Sequence, residues 1–113
     1  MDSKEMVDKI VEILDSKKAK DINVISIENI SILSDYFVIC NGTSSTHIKT
    51  LADELEEKME ELGQRCIHKE GYNSARWILL DYGDVVVHIF HEEDRGFYNL
   101  ERLWADGVLS YKV

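Results

Sequence analysis

Proline is absent from this sequence, and with it any proline-rich spacer; no low-complexity tract, internal repeat or linker divides the chain. Cysteine occurs twice, at Cys40 and Cys66, without Cys-x-x-Cys spacing. Each lies in an apolar, strand-like run, so buried free thiols are expected rather than a disulfide or redox pair. No apolar run approaches the ~20 residues that span a bilayer. The opening Met1-Asp2-Ser3-Lys4-Glu5 also lacks the basic and apolar regions of a secretion signal, which leads to the expectation of a cytoplasmic protein without membrane association. Basic residues are scarce too: 13 Lys and Arg stand against 22 Asp and Glu, a net charge of −9. Affinity gained by gripping phosphates needs a Lys/Arg surface that releases counterions, so sequence-specific nucleic-acid binding is not expected. The acidic balance suits a basic protein partner.

What is present fits one globular domain spanning residues 1–113. A chain of 113 residues with 44% hydrophobic side chains can bury roughly two-thirds of its unfolded surface and stand without disulfides. The organising stretch is Trp77 to Phe90, where two apolar runs rich in β-branched and aromatic residues flank a short polar turn. That pattern predicts a β-hairpin with Tyr82 and Gly83 at its corner. Gly83 can take φ > 0 there, and Asp81 and Asp84 can accept from turn N–H groups. Neither arm alternates cleanly, so both faces of the hairpin are expected to be covered.

Ahead of the hairpin, Val7, Ile10, Val11 and Leu14 give a first amphipathic helix over Ser3 to Lys17, with Asp2 or Ser3 as N-cap. Ile22 to Ile27 reads as a strand, and Asp35 to Cys40 as a central strand covered on both faces. The polar turn Asn41-Gly42-Thr43-Ser44-Ser45 feeds the clearest helix, whose Ile48, Leu51, Ala52, Leu55, Met59 and Leu62 share one face; Gly63 ends it. Cys66 to Glu70 is a further short strand, expected to run parallel to the 35–40 strand through a right-handed crossover. After Phe90, the spacing of Phe97, Leu100, Leu103 and Trp104 predicts a terminal helix, and Val108 to Val113 is a tail with no assigned state. The fold class is therefore α/β in the α+β sense: a mixed sheet of about five strands packed with helices.

Candidate chemistry is thin. The Gly42-Thr43-Ser44-Ser45 turn at a helix start is anion-ready, yet it lacks the second glycine and the Lys of a P-loop, and helix capping by Thr43 or Ser44 is the simpler reading. A metal-dependent nucleotidyltransferase would pair such a turn with an Asp-x-Asp on a strand. Here Asp81 and Asp84 are three apart across a turn, a spacing that does not fix two metals. His88 and His91 are poorly placed for a shared zinc, and His47 and His68 join no cluster with metal-ligand spacing. A structural or catalytic metal is accordingly not expected; no Gly-x-Ser-x-Gly nucleophile elbow is present, and a triad of Ser44 or Ser45 with a distant His stays open. What remains is a surface. Trp77, Leu79 and Asp81 share one face of the first hairpin arm, and Ile78, Leu80 and Tyr82 the other. If helices cover one face of the sheet, a Trp-bearing apolar face is left for a partner, or for the terminal helix, to cover.

Several segments, taken in order, resemble the ribosomal silencing factor family, also called RsfS or Iojap. They are Asp35-Tyr36-Phe37-Val38-Ile39-Cys40, Gly42-Thr43-Ser44-Ser45 with His47, and Glu70-Gly71. Trp77 through Asp81, Gly83-Asp84-Val85-Val86-Val87-His88, Tyr98, Leu100-Glu101 and Leu103-Trp104 complete the set, which runs from about residue 7 to 104 and leaves 105–113 as a tail. The resemblance implies a nucleotidyltransferase-like topology without its catalytic site. It also implies a translation repressor that binds the large ribosomal subunit through that subunit's fourteenth protein and sterically blocks joining of the small subunit, a steric action that needs no catalysis and no cofactor. By position it implies contact residues Glu70, Trp77, Leu79, Asp81, Tyr82 and Asp84, with Trp77 as apolar anchor; Ser45 and His47 match family positions whose role is either binding or capping. A metal-dependent nucleotidyltransferase is the alternative function, and self-association through the same apolar face is a further reading. Asn41, where many relatives have Thr, and Gly96, at the start of the terminal helix, depart from the family pattern.

Overall fold

The computed structural model describes residues 1–28, 32 and 34–94, and the backbone of residues 108–112. Helix α1 spans Ser3–Ser16. Asp2 is its N-cap, its Oδ1 accepting the Glu5 N–H at 2.8 Å; Val7, Ile10, Val11 and Leu14 form the buried stripe that the spacing predicts, and Met6 is buried beside them. The helix closes in a Schellman turn: Lys18 N–H donates to the Asp15 carbonyl and Ala19 N–H to that of Leu14. Lys18 therefore sits at φ 66°, a left-handed position usually given to glycine.

Strand β1 (Lys20–Ser26) pairs antiparallel with β2 (Tyr36–Gly42), which runs two residues beyond the expected Cys40. Helix α2 (Ser45–Glu61) starts on Ser44, whose Oγ accepts the His47 N–H at 3.0 Å, so capping falls to Ser44. It ends as expected at Gly63 (φ 80°), with Gly63 N–H donating to the Glu60 carbonyl and Gln64 N–H to that of Met59. Three strands follow: β3 (His68–Glu70), β4 (Trp77–Asp81) and β5 (Val85–His91). The backbone of Val108–Lys112 forms β6, giving the tail the strand state that its sequence left unassigned. The expected terminal helix over Phe97, Leu100, Leu103 and Trp104 lies outside the described residues.

Among the described residues the strands form one mixed sheet in the order β3-β4-β5-β2-β1-β6, six strands where about five were expected. The hairpin is as predicted: β4 and β5 pair antiparallel around Tyr82-Gly83-Asp84, with Gly83 at φ 88°. The parallel partner of β2 differs from the expectation. It is β5, not the 66–70 segment, which instead pairs antiparallel with β4 at the sheet edge. The reason is burial. Val85, Val87, Ile89 and Phe90 can be enclosed in the sheet centre, whereas His68, Lys69 and Glu70 are all exposed and suit only an edge.

Helices α1 and α2 lie on one side of the sheet. There Ile10, Leu14, Ile48, Leu51, Leu55 and Met59 interlock with Val24, Val38, Ile78, Leu80, Val87 and Ile89. On the opposite side Ile25, Ile27, Ile39 and Phe90 form a smaller cluster, with Phe37 and Trp77 packed against it. The expected cover on both sides of the hairpin is thus uneven. Along β4 burial alternates, Ile78 and Leu80 being enclosed while Trp77, Leu79 and Asp81 are only partly so. Neither cysteine is disulfide-bonded: Cys40 is buried as expected, whereas Cys66 is only partly buried, its Sγ donating to the His68 carbonyl.

Candidate functional site

The side of the sheet away from α1 and α2 is built from two cross-strand rows. Pairing sets His68 beside Asp81, Asp81 beside Val86 and Val86 beside Phe37; the next row runs Glu70, Leu79, His88, Ile39. Because neighbouring residues in register share a face, these rows bring side chains from four strands onto one surface. They enclose a groove of about 550 Å³ lined by Ile27, Phe37, Leu79, Val86 and His88, with Glu70, Asp81, His68 and Ile67 among its other walls. The lining is apolar and the flank carboxylate-bearing, the arrangement of an interface core with a polar rim.

Trp77 stands one row further along, paired with Phe90. Its indole stacks on the Phe90 ring at 5.0 Å between centroids with 27° between planes, and its Nε1–H donates to His88 Nδ1 at 3.1 Å. His88 also meets the Phe37 ring edge-on at 4.8 Å. Only 4% of His88 is exposed, and burial lowers its pKa to about 4, so the ring is neutral. Indole is a donor only; Nδ1 must therefore offer its lone pair, and the proton resides on Nε2.

The structure gathers Glu70, Trp77, Leu79 and Asp81 on this face, as the positional reading expects. Asp81 has two engagements: its Oδ1 accepts the Gly83 N–H at 2.7 Å, the turn role read from sequence, and its side chain lines the groove. Asp84 is exposed in the adjoining turn, and its carbonyl accepts from Asp35 N–H and Tyr36 N–H. Tyr82 is not brought to this face. It continues the parity of Ile78 and Leu80 and lies in the helix-side core, 6% exposed, where burial raises its phenol pKa.

Ser45 and His47 lie elsewhere, at the start of α2. His47 Nδ1 accepts the Thr43 N–H at 3.0 Å and Nε2 is 2.9 Å from the Lys17 carbonyl, so the ring ties the entry of α2 to the end of α1. Gly42 leaves room for that ring, since a Cβ there would stand 3.1 Å from His47 Nδ1. Ser45 is exposed and is not the cap. Among the described residues, no group of three or more His, Cys, Asp and Glu side chains is placed to hold a metal ion, and no helix is long and apolar enough to cross a membrane.

Phe37, Val86 and His88 are groove residues that sequence reading did not assign to the site. The signal was available for His88, a lone polar residue inside the apolar run Val85 to Phe90, although its spacing to His91 directed attention to zinc instead.

Comparison with known proteins identifies the family of the chain. Residues 1–112 match the family described as "Ribosomal silencing factor during starvation", RsfS. The chain belongs to the ribosomal silencing factor family. It is 45% identical over 96 residues to the Bacillus subtilis ribosomal silencing factor RsfS, covering 85% of this chain and 81% of that protein. With the Halalkalibacterium halodurans RsfS it shares 42% identity over 106 residues, 94% of this chain and 91% of the relative. The crystal structure of a Chromobacterium violaceum protein superposes with a TM-score of 0.90 at 32% identity, covering 93% of this chain and 88% of that one. The sheet with α1 and α2 on one side is thus an RsfS fold.

Proposed function

We propose that this chain binds the large ribosomal subunit through the subunit's fourteenth protein and sterically blocks joining of the small subunit. Family membership supports the silencing role. The observation that carries the site is the groove itself: Phe37, Leu79 and Val86 offer an apolar seat beside Trp77, and Glu70 and Asp81 flank it. A chain of net charge −9 that places carboxylates around an apolar seat fits a basic protein surface; these charges speed encounter and set register, while the apolar contacts hold. The action is occupancy, with no bond made or broken and no cofactor. The Ser44 Oγ of the Gly42 to Ser45 turn is used in capping α2 and the Thr43 N–H in seating His47, which lends the nucleotidyltransferase alternative no support.

The test is sedimentation of the protein with purified large subunits, with and without small subunits. Wild type is expected to pellet with large subunits and to reduce joined particles. Trp77→Ala, checked for retained fold by circular dichroism, is expected to weaken binding on the order of 30-fold, as loss of a central aromatic anchor does. Asp81→Asn keeps the acceptor for Gly83 N–H and removes only charge; it should slow association and flatten its salt dependence. Absence of pelleting at micromolar protein overturns the proposal.

A further inference from the structure

We propose that His88 is the positioning residue for Trp77, holding the indole in the one orientation in which it meets the partner. The assignment rests on the reading of this face as the ribosome-binding surface. Three contacts fix the arrangement. Trp77 Nε1–H donates to His88 Nδ1 at 3.1 Å, the two ring centroids lie 5.9 Å apart, and the indole also stacks on the Phe90 ring.

The second observation is what the imidazole gives up. With Nδ1 accepting, Nε2 carries the proton, and among the described residues this buried N–H meets no hydrogen-bond partner. A buried donor left unmade disfavours folding. An aliphatic side chain of similar volume between Val87 and Ile89 would fill the same space without that liability. What an aliphatic side chain cannot do is accept the Trp77 indole. The histidine therefore serves the anchor rather than the core. An anchor already ordered in the free protein loses less freedom on docking, an advantage of about three- to tenfold in Kd for one side chain.

The experiment uses the full chain with His88→Leu and His88→Asn. Each is measured for its urea midpoint, for Kd to purified large subunits, and for hydrogen exchange of the Trp77 indole proton by 1H–15N NMR. His88→Leu is expected to hold or raise the urea midpoint, to speed exchange of the Trp77 proton, and to weaken Kd about three- to tenfold. His88→Asn, whose Oδ1 can stand where Nδ1 stood, is expected to restore protection and affinity. In a Trp77→Phe background, which has no indole donor, His88→Leu should change Kd no further.

Wild-type Kd and wild-type Trp77 exchange in His88→Leu overturn the assignment while leaving the function intact. A loss of affinity that follows loss of stability equally in the Leu and Asn variants also overturns it, because that is the mark of a merely structural residue. Failure of wild type to bind large subunits overturns the functional reading, and this assignment with it.

Discussion

Acid should destabilise this protein through His88. Burial holds the folded-state pKa of His88 at about 4, against an ordinary value of 6.5. Between those values the unfolded chain binds the proton and the folded chain does not, so stability is full above about pH 6.5 and falls as pH drops through this window. The His88 contribution lost is about 2 kcal/mol by pH 5 and about 3 kcal/mol by pH 4, a large share of a small domain's stability. Urea denaturation followed by circular dichroism at pH 7, 6 and 5 measures it, with His88→Leu as reference. His47, His68 and His91 remain in both proteins and cancel in the difference. The wild-type midpoint should fall faster with acid than that of the variant, the two curves separating by about 2 kcal/mol between pH 7 and 5. Parallel curves would show that His88 is not held neutral by burial and would refute the reasoning.

Three further outcomes follow from backbone geometry. Lys18→Gly should stabilise the protein by about 0.5–1 kcal/mol, because Lys18 stands at φ 66° in the α1 end cap, where the relief of strain exceeds the added chain entropy; a calorimetric Tm rise of about 2–5 °C would register it. Gly71→Ala should destabilise by about 2–5 kcal/mol, since Gly71 has φ 80° and a Cβ there would fall 2.0 Å from the Trp77 carbonyl oxygen; urea titration would detect the shift. Ser44→Ala should remove about 1 kcal/mol by unpairing the His47 N–H, seen in the same titration as a lower midpoint with unchanged slope.

Local signals were read correctly where local forces decide. The α2 stripe from Ile48 to Met59, its Ser44 cap and its Gly63 stop are set by side chains within a few residues of one another, and so is the hairpin around Gly83; Leu62, expected on the same stripe, is instead the exposed C-cap. Pairing across long sequence distance was not available in the same way. The choice of β5 over the 66–70 segment as neighbour of β2 depends on which strand can be enclosed on both sides, and β6 takes its strand state from β1, more than eighty residues earlier in the chain. At the site, strand parity already set Tyr82 with Ile78 and Leu80, and the structure follows parity; the positional reading placed Tyr82 among the contact residues because of its neighbours in sequence. Phe37 and Val86 were missed since their membership depends on the cross-strand register, which no single segment contains.

The edge strand shows how the fold and the proposed function are joined. His68, Lys69 and Glu70 are all exposed, so β3 adds little to the core, and a three-residue edge has small value for stability alone. Its consequence is positional: pairing with β4 sets Glu70 beside Leu79 and His68 beside Asp81, extending both groove rows by one residue. The return from β3 to β4 passes through Gly71, where the Trp77 carbonyl lies too close for any Cβ. The missing side chain lets this turn pack on the first residue of β4, the strand that carries the proposed anchor, while Phe90 and His88 contact its ring. Rigid placement of both backbone and side chain is what a binding face needs if affinity is to come from a few residues. The helix side of the same sheet, enclosed by α1 and α2, supplies the stability that lets the opposite side keep its carboxylates and its buried imidazole.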